Sequence, residues 1–218
     1  HGAPTLLLHD SPATLFLRQL ARQMESPRAV VVMSAHWCTS QPQVSAAAQP
    51  TTIHDFYGFP AALSQLHYAA PGDPALAQAL VDALAAFGAQ LHPSRGFDHG
   101  TWVPLSLLYP EAQIPVVTVS VQPQQDAAWH LALGQHLAAW REQGVLFIGS
   151  GSATHNLAEF GRYAFAEESP DYVRGFSDWV AQCAEQGRLT NTLAWETQAP
   201  FALRNHPTPE HLLPVCLP

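Results

Sequence analysis

The chain has 218 residues, of which 47% are apolar and only 12% charged, with a formal net charge of -8. Such a composition excludes a disordered chain and is long enough to bury one sizeable core. The acidic balance argues against nucleic acid and an anionic membrane surface as partners, because both attract a basic face.

In chain order, Ser11-Pro12 reads as a helix start, an N-cap serine with proline in the first turn. Leu15, Leu17, Leu20, Ala21 and Met24 continue it as an apolar stripe. Arg28 to Met33 is a short β-branched run that predicts a central strand buried on both faces, with His36 just past its carboxyl end. Val44 to Ala48 is a weaker strand, and His54 to Pro60 an aromatic loop. Asp73-Pro74 opens a helix to Phe87, with Gly88 as its stop. Arg95 to Thr101 reads as a glycine-bounded loop leading into a helix toward Leu108. Val116 to Val121 is a strand, Asp126 to Gln143 a long helix closed by Gly144, and Val145 to Ile148 a further buried strand. A helix follows over Ser169 to Glu185 with Gly187 as stop, then another toward Trp195. Thr208-Pro209-Glu210 caps a final apolar segment. Helices alternating with short apolar strands predict a single α/β domain over residues 1–218, with a central mixed, mostly parallel sheet flanked by helices.

Cys38, Cys183 and Cys216 form no C-x-x-C pair, which excludes a zinc ribbon or thioredoxin-like site and points to a reduced, cytoplasmic protein. No apolar run has the length of a membrane span. The sequence leaves room for association into a homo-oligomer.

The chemistry lies in the histidines. His1, His36, His155 and His211 sit in four separate stretches, two of them following strand-like runs, where an open α/β sheet places its site. Histidine is the commonest metal ligand. The ordinary alternative, a core or turn histidine, suits any one of the four taken alone; the small residues before His36 (Ser34-Ala35) and His155 (Gly149-Ser150-Gly151-Ser152) let backbone and metal approach closely. Glu210 beside His211 is a further candidate. His54-Asp55 and Asp98-His99 each set an imidazole next to a carboxylate. Phe56, Tyr57, Phe59, Phe97 and Trp102 offer an aromatic wall, for which ordinary loop packing is the alternative. His9, His67, His92, His130 and His136 read as structural, and His206 as a reserve ligand. The signatures of a phosphate loop, a nucleophile elbow and a His-Glu-x-x-His helix are missing from the sequence. Three histidines with an open position suit zinc and hydrolysis; two with a carboxylate suit ferrous iron and oxygen. The residues alone do not choose between them.

In sequence order, His-Gly-Ala-Pro, Ser-Ala-His-Trp, Ile-His-Asp-Phe-Tyr-Gly-Phe-Pro, Tyr-Ala-Ala-Pro-Gly-Asp-Pro, Gly-Phe-Asp-His-Gly-Thr-Trp, Ser-Gly-Ser-x-x-His-Asn and Thr-Pro-Glu-His-Leu-Leu-Pro span the whole chain. This series resembles the class III extradiol ring-cleavage dioxygenases, in the branch of the 4,5-DOPA extradiol dioxygenases. The resemblance implies cleavage of a catechol ring with O2 at a non-haem metal, ferrous iron for activity, with zinc also compatible with the isolated protein. It implies that His1, His36 and His211 hold the metal. His155 is implied as the acid–base residue or an additional ligand, and His99 as a second pocket histidine placed to touch oxygen or substrate. His54, Phe56, Tyr57 and Trp37 are the residues expected against the substrate. Relatives with an acidic ligand complete their site with a carboxylate; here His211 takes that place, with Glu210 one residue earlier. The resemblance also implies chain beyond both ends, so that His1 binds through its imidazole. A histidine that is a true N-terminus would instead chelate copper through its amine, but the enzymes that do so are β-sandwiches. The alternative on the same fold is a zinc hydrolase or a catalytically silent zinc-bound relative.

Overall fold

The computed structural model describes residues 1–163, 168–186 and 194–218. A five-stranded sheet is built from β1 (Ala29–Cys38), β2 (Gln43–Ser45), β3 (Gln90–His92), β4 (Val116–Val121) and β5 (Val145–Ser150), in the order β3-β2-β4-β1-β5. β1 runs parallel to β4 and β5, and β2 parallel to β3, while the β2–β4 pair is antiparallel. The sheet is therefore mixed and mostly parallel, with α1 (Pro12–Gln23), α2 (Pro74–Ala83), α3 (His99–Leu108), α4 (Ala127–Leu137) and α5 (Asp171–Glu185) around it, and short α6 (Trp195–Gln198) and α7 (Ala202–Asn205) toward the end. This is the α/β architecture the sequence predicts.

β1 is an interior strand, lying between β4 and β5, next to the edge and not at the centre of the sheet, and it is apolar on both faces. Ala29, Val31 and Met33 belong to one core with Leu80, Leu133 and Phe176, whereas Val30 and Val32 belong to the other with Phe97, Trp102 and Leu105. All are essentially inaccessible, and burying one such valine or leucine contributes roughly 1.5–3 kcal/mol. Helix starts are set by polar caps. Ser11 and Thr14 form a reciprocal capping box at α1, and the carboxylates of Asp73, Asp98 and Asp126 accept from the backbone N–H groups of Leu76, Thr101 and Trp129.

Several boundaries differ from the sequence reading. β1 continues to Cys38, so His36 lies within it and not past its end. The extension is irregular: Met33 pairs with Val119 but Cys38 with Val121, leaving extra residues on β1 between them. A bulge of this kind bends a strand and re-aims its side chains, and His36 sits inside it. β2 stops at Ser45, and β3 is a strand the sequence does not predict, because three largely exposed residues carry no alternation. The glycine-bounded loop at 95–101 is cut short by the Asp98 cap, which starts α3 at His99. The helix expected over 126–143 divides into α4 and a 3-10 segment, Ala138–Gln143. The Gly187 stop and most of the helix expected ahead of Trp195 lie outside the described residues. Among the described residues, no helix is long and apolar enough to cross a membrane.

Candidate metal centre and cleft

At the carboxyl ends of β1 and β5 three imidazoles from distant stretches meet. His1 Nε2 lies 3.0 Å from His36 Nε2, and His211 Nε2 lies 3.3 Å from His36 Nε2. The ring nitrogens of His1, His36 and His211 together form a group able to hold an ion. Two imidazole nitrogens bound to one ion at about 2.0–2.1 Å stand roughly 3.0–3.4 Å apart, so the spacing fits a shared metal.

The other ring nitrogens explain why these Nε2 atoms face one another with lone pairs. The Ser150 hydroxyl donates to the Gly100 carbonyl and lies 2.9 Å from His1 Nδ1, so with its single proton committed it accepts from His1 Nδ1–H. Glu210 Oε1 lies 3.0 Å from His211 Nδ1 and accepts there. Carboxylates and hydroxyls that hold Nδ1–H in this way fix the tautomer and orient Nε2 for a metal. Burial, reinforced by the neighbouring rings of His99 and His155 respectively, pushes the pKa of both His36 and His211 down to about 4, although Glu210 acts in the opposite direction on His211. Both imidazoles are neutral at neutral pH, the form a metal ligand needs.

Backbone packing delivers His211. A Cβ on Gly151 would collide with the His211 carbonyl, and one on Gly149 with the Pro214 carbonyl, while Ser152 N–H donates to His211 O at 3.0 Å. The Gly-Ser-Gly-Ser run is thus a groove into which the 211–214 segment settles, and glycine is required where that backbone passes.

Two further histidines border the ion-binding group. His155 stacks on His211, with ring centroids 3.3 Å apart and 9° between planes, and its Nδ1 is 4.0 Å from Glu210 Oε1. Burial lowers its pKa against the opposing pull of Glu210. His99 is 3.9 Å from His36 between ring centroids. Its Nδ1 is 3.0 Å from Asp55 Oδ2, and its backbone N–H donates to Asp55 Oδ1 at 2.9 Å. Burial works to raise the Asp55 pKa, but the bonds from His99 prevail and hold it below the usual carboxylate range.

His1, His36, His99, His155 and His211 line a cleft of about 760 Å³. Phe56, Phe59, Leu157, Phe160 and Tyr172 supply its apolar walls, and Glu159 and Glu210 its carboxylates. The volume lies in the ordinary range for a small-molecule site.

Of the residues expected at the site, the structure brings together His1, His36, His99, His155, His211 and Phe56. Three others point elsewhere. His54 turns its Nε2 to the Leu66 carbonyl at 2.9 Å and packs near His67 and Trp102. Tyr57 is 93% exposed and outside the cleft. Trp37 is buried beneath the Arg95 guanidinium, 5.1 Å from its ring centroid. The adjacent acid–imidazole pairs also separate. Asp55 serves His99, not His54, while Asp98 accepts from Ser34 Oγ and Arg95 Nη2, each at 2.6 Å. Sequence adjacency pairs Asp55 with His54, and the one local sign of the exchange is the repetition of the His/Asp pair in two loops. His206 is fully buried, with Nε2 3.1 Å from the Ala153 carbonyl, and His130 is a core residue bonded to Asp126 O and Gln122 N.

Residues 10–217 match the family model described as the catalytic LigB subunit of aromatic ring-opening dioxygenase. Among curated proteins, the chain is 42% identical to 4,5-DOPA dioxygenase extradiol of Beta vulgaris, over 99% of this chain and 82% of that protein. It is 41% identical to the protein of the same name from Escherichia coli K12, over 99% of this chain and 80% of that one. A crystal structure of an uncharacterized Escherichia coli K12 protein superposes with a TM-score of 0.76 at 35% identity, covering 95% of this chain and 81% of that one.

Proposed function

The chain belongs to the LigB family of aromatic ring-opening dioxygenases, in the 4,5-DOPA dioxygenase-like branch, and from that premise we propose that it opens the ring of DOPA or a closely similar catechol. It is a non-haem, metal-dependent extradiol dioxygenase that acts on a catechol-like substrate with O2 and requires a divalent metal, iron or zinc. The finer substrate assignment draws on the printed names of the relatives. The observation that carries the site assignment is the convergence of three Nε2 atoms beside a stacked fourth histidine.

In this reading His1, His36 and His211 hold the metal, and iron is the ion for turnover. When bound, the metal lowers the pKa of the catechol hydroxyls and supplies the redox chemistry toward dioxygen. The protein does the rest. His155, neutral because burial lowers its pKa, takes a hydroxyl proton on its ring and returns it as the ring opens. Its stack on His211 holds it beside the ligand set, and Glu210 orients the His211 ring at 3.0 Å while its charge lies 4.0 Å from His155 Nδ1. His99 has Nδ1 turned to Asp55, leaving Nε2 as the nitrogen that accepts a hydrogen bond from a substrate hydroxyl. Phe56 and Phe59, edge to face with centroids 5.6 Å apart, form an aromatic wall for the substrate ring. We place the protein in the cytoplasm, a reading supported by three cysteines that are all free.

The test is anaerobic reconstitution with ferrous iron, addition of L-DOPA, then admission of oxygen. The expected result is stoichiometric oxygen uptake with formation of a yellow ring-opened semialdehyde. Iron-loaded protein that consumes no oxygen with any catechol, or a zinc-loaded protein that hydrolyses its substrate without oxygen, defeats the proposal.

A further inference from the structure

We propose that Asp55 is a positioning residue that fixes which nitrogen of His99 carries the proton, an inference that rests on His99 being the hydrogen-bonding histidine of the cleft. The fold delivers Asp55 with several independent fastenings. Thr52 pairs with Phe97 in an isolated parallel bridge, Ile53 N–H donates to Phe97 O at 2.7 Å, and Phe97 N–H donates to Thr51 O at 2.8 Å. Trp102 Nε1–H donates to the Ile53 carbonyl at 3.1 Å. A Cβ on Gly96 would strike the Thr51 carbonyl, so the two loops close only over a glycine. This strap sets the Asp55 carboxylate on the first turn of α3.

Its two oxygens then have different tasks. Oδ1 accepts the His99 backbone N–H at 2.9 Å. Oδ2 lies 3.0 Å from His99 Nδ1 and 3.6 Å from His36 Nδ1. His99 Nδ1 is buried and has no better partner among the described residues; the contact with Oδ2 is close but bent. A carboxylate only accepts, so the group it faces must be Nδ1–H. The remaining nitrogen, Nε2, is then the one that carries the lone pair. Carboxylate-held histidines in metal sites owe their tautomer and orientation to the same arrangement, and here it acts on a histidine next to the ligand set.

Asp55→Asn separates this role from simple support. Asparagine keeps an oxygen for the His99 backbone N–H but presents an N–H donor where Oδ2 accepted, which drives the His99 proton to Nε2. Imidazole ¹⁵N spectra of the metal-free protein are expected to show His99 protonated at Nδ1 in the native chain and at Nε2 in the variant. In the metal-loaded enzyme, Asp55→Asn is expected to lower kcat roughly 10- to 100-fold with bound metal unchanged, and KM for L-DOPA is expected to move less than about threefold. On a His99→Ala background the same substitution is expected to add nothing. A variant with native kcat, an unchanged His99 tautomer, additive losses in the double variant, or loss of metal would each overturn the assignment, the last because it would place the effect on His36. Full activity of His99→Ala alone would instead remove the reading of His99, and the ¹⁵N spectra would still decide whether Asp55 sets its tautomer.

Discussion

The imidazoles of His155 and His211 lie face to face, 3.3 Å between centroids, with a single carboxylate oxygen of Glu210 at 3.0 Å from one Nδ1 and 4.0 Å from the other. His211 Nε2 faces His36 Nε2 while the His155 ring lines the cleft, so in the proposed function the pair divides metal holding from proton transfer. His155→Ala is expected to keep its metal and lose roughly 10²–10⁴-fold in kcat, the usual scale for a general acid–base group. Metal analysis of the purified variant beside its turnover checks this; a variant that loses its ion marks His155 as a ligand.

His36→Ala and His211→Ala are expected to lose the metal itself. Removing an orienting carboxylate near a ligand weakens affinity by roughly 10- to 100-fold, and removing the ligand exceeds that. Glu210→Gln supplies the comparison, a weaker but measurable loss with His211 still in place. Competition with a chromophoric chelator gives all three affinities.

Gly151→Ala is a steric test of how His211 is delivered. The added Cβ meets the His211 carbonyl, which is backbone and has no rotamer in which to escape. The expected outcome is a loss of about 1–3 kcal/mol in stability, as for other forced overpacking, together with weakened metal binding. Gly161→Ala, where a Cβ meets nothing within 4 Å, carries backbone strain alone at φ +79 and is expected to leave metal affinity unchanged. Denaturant titration and metal affinity of both variants distinguish the cases.

The pKa shifts of His36 and His211 predict how the metal-free protein responds to acid. Both are depressed from 6.5 to about 4 by burial. Between those values the unfolded chain binds protons that the folded chain does not, so stability falls as pH falls from 6.5 toward 4 and is fully present above 6.5. The melting temperature without metal is expected to drop by several degrees between pH 7 and pH 5, on the order of 1 kcal/mol or more in total. Removal of His211 as His211→Asn is expected to flatten that slope, which thermal scans across the window will read.

Much of this arrangement is written locally in the chain. β1, β4 and β5 follow from β-branched runs, and the starts of α1, α2 and α4 from their caps. His1, His36 and His155 stand in stretches rich in glycine, serine and alanine, which is where backbone must pass close by, whereas His211 stands among Pro, Glu and Leu. What local pattern does not contain is direction within irregular segments. His36 is aimed by a bulge whose extra residues are visible only against β4. His54 and Asp55 are adjacent, yet one faces Leu66 and the other His99, because the strap to Phe97 fixes how the loop turns. Tyr57 and Phe56 part for the same reason, one into solvent and one into the cleft. β3 is paired only through β2, so nothing in its own three residues announces it.

The three histidines of the proposed centre are far apart along the chain: His1 and His36 are separated by 35 residues, and His36 and His211 by 175. No fragment that stops short of position 211 contains the full set. During synthesis, therefore, the ribosome must pass position 211 before the proposed centre can exist, and the metal is acquired only after the segments around all three histidines have been made.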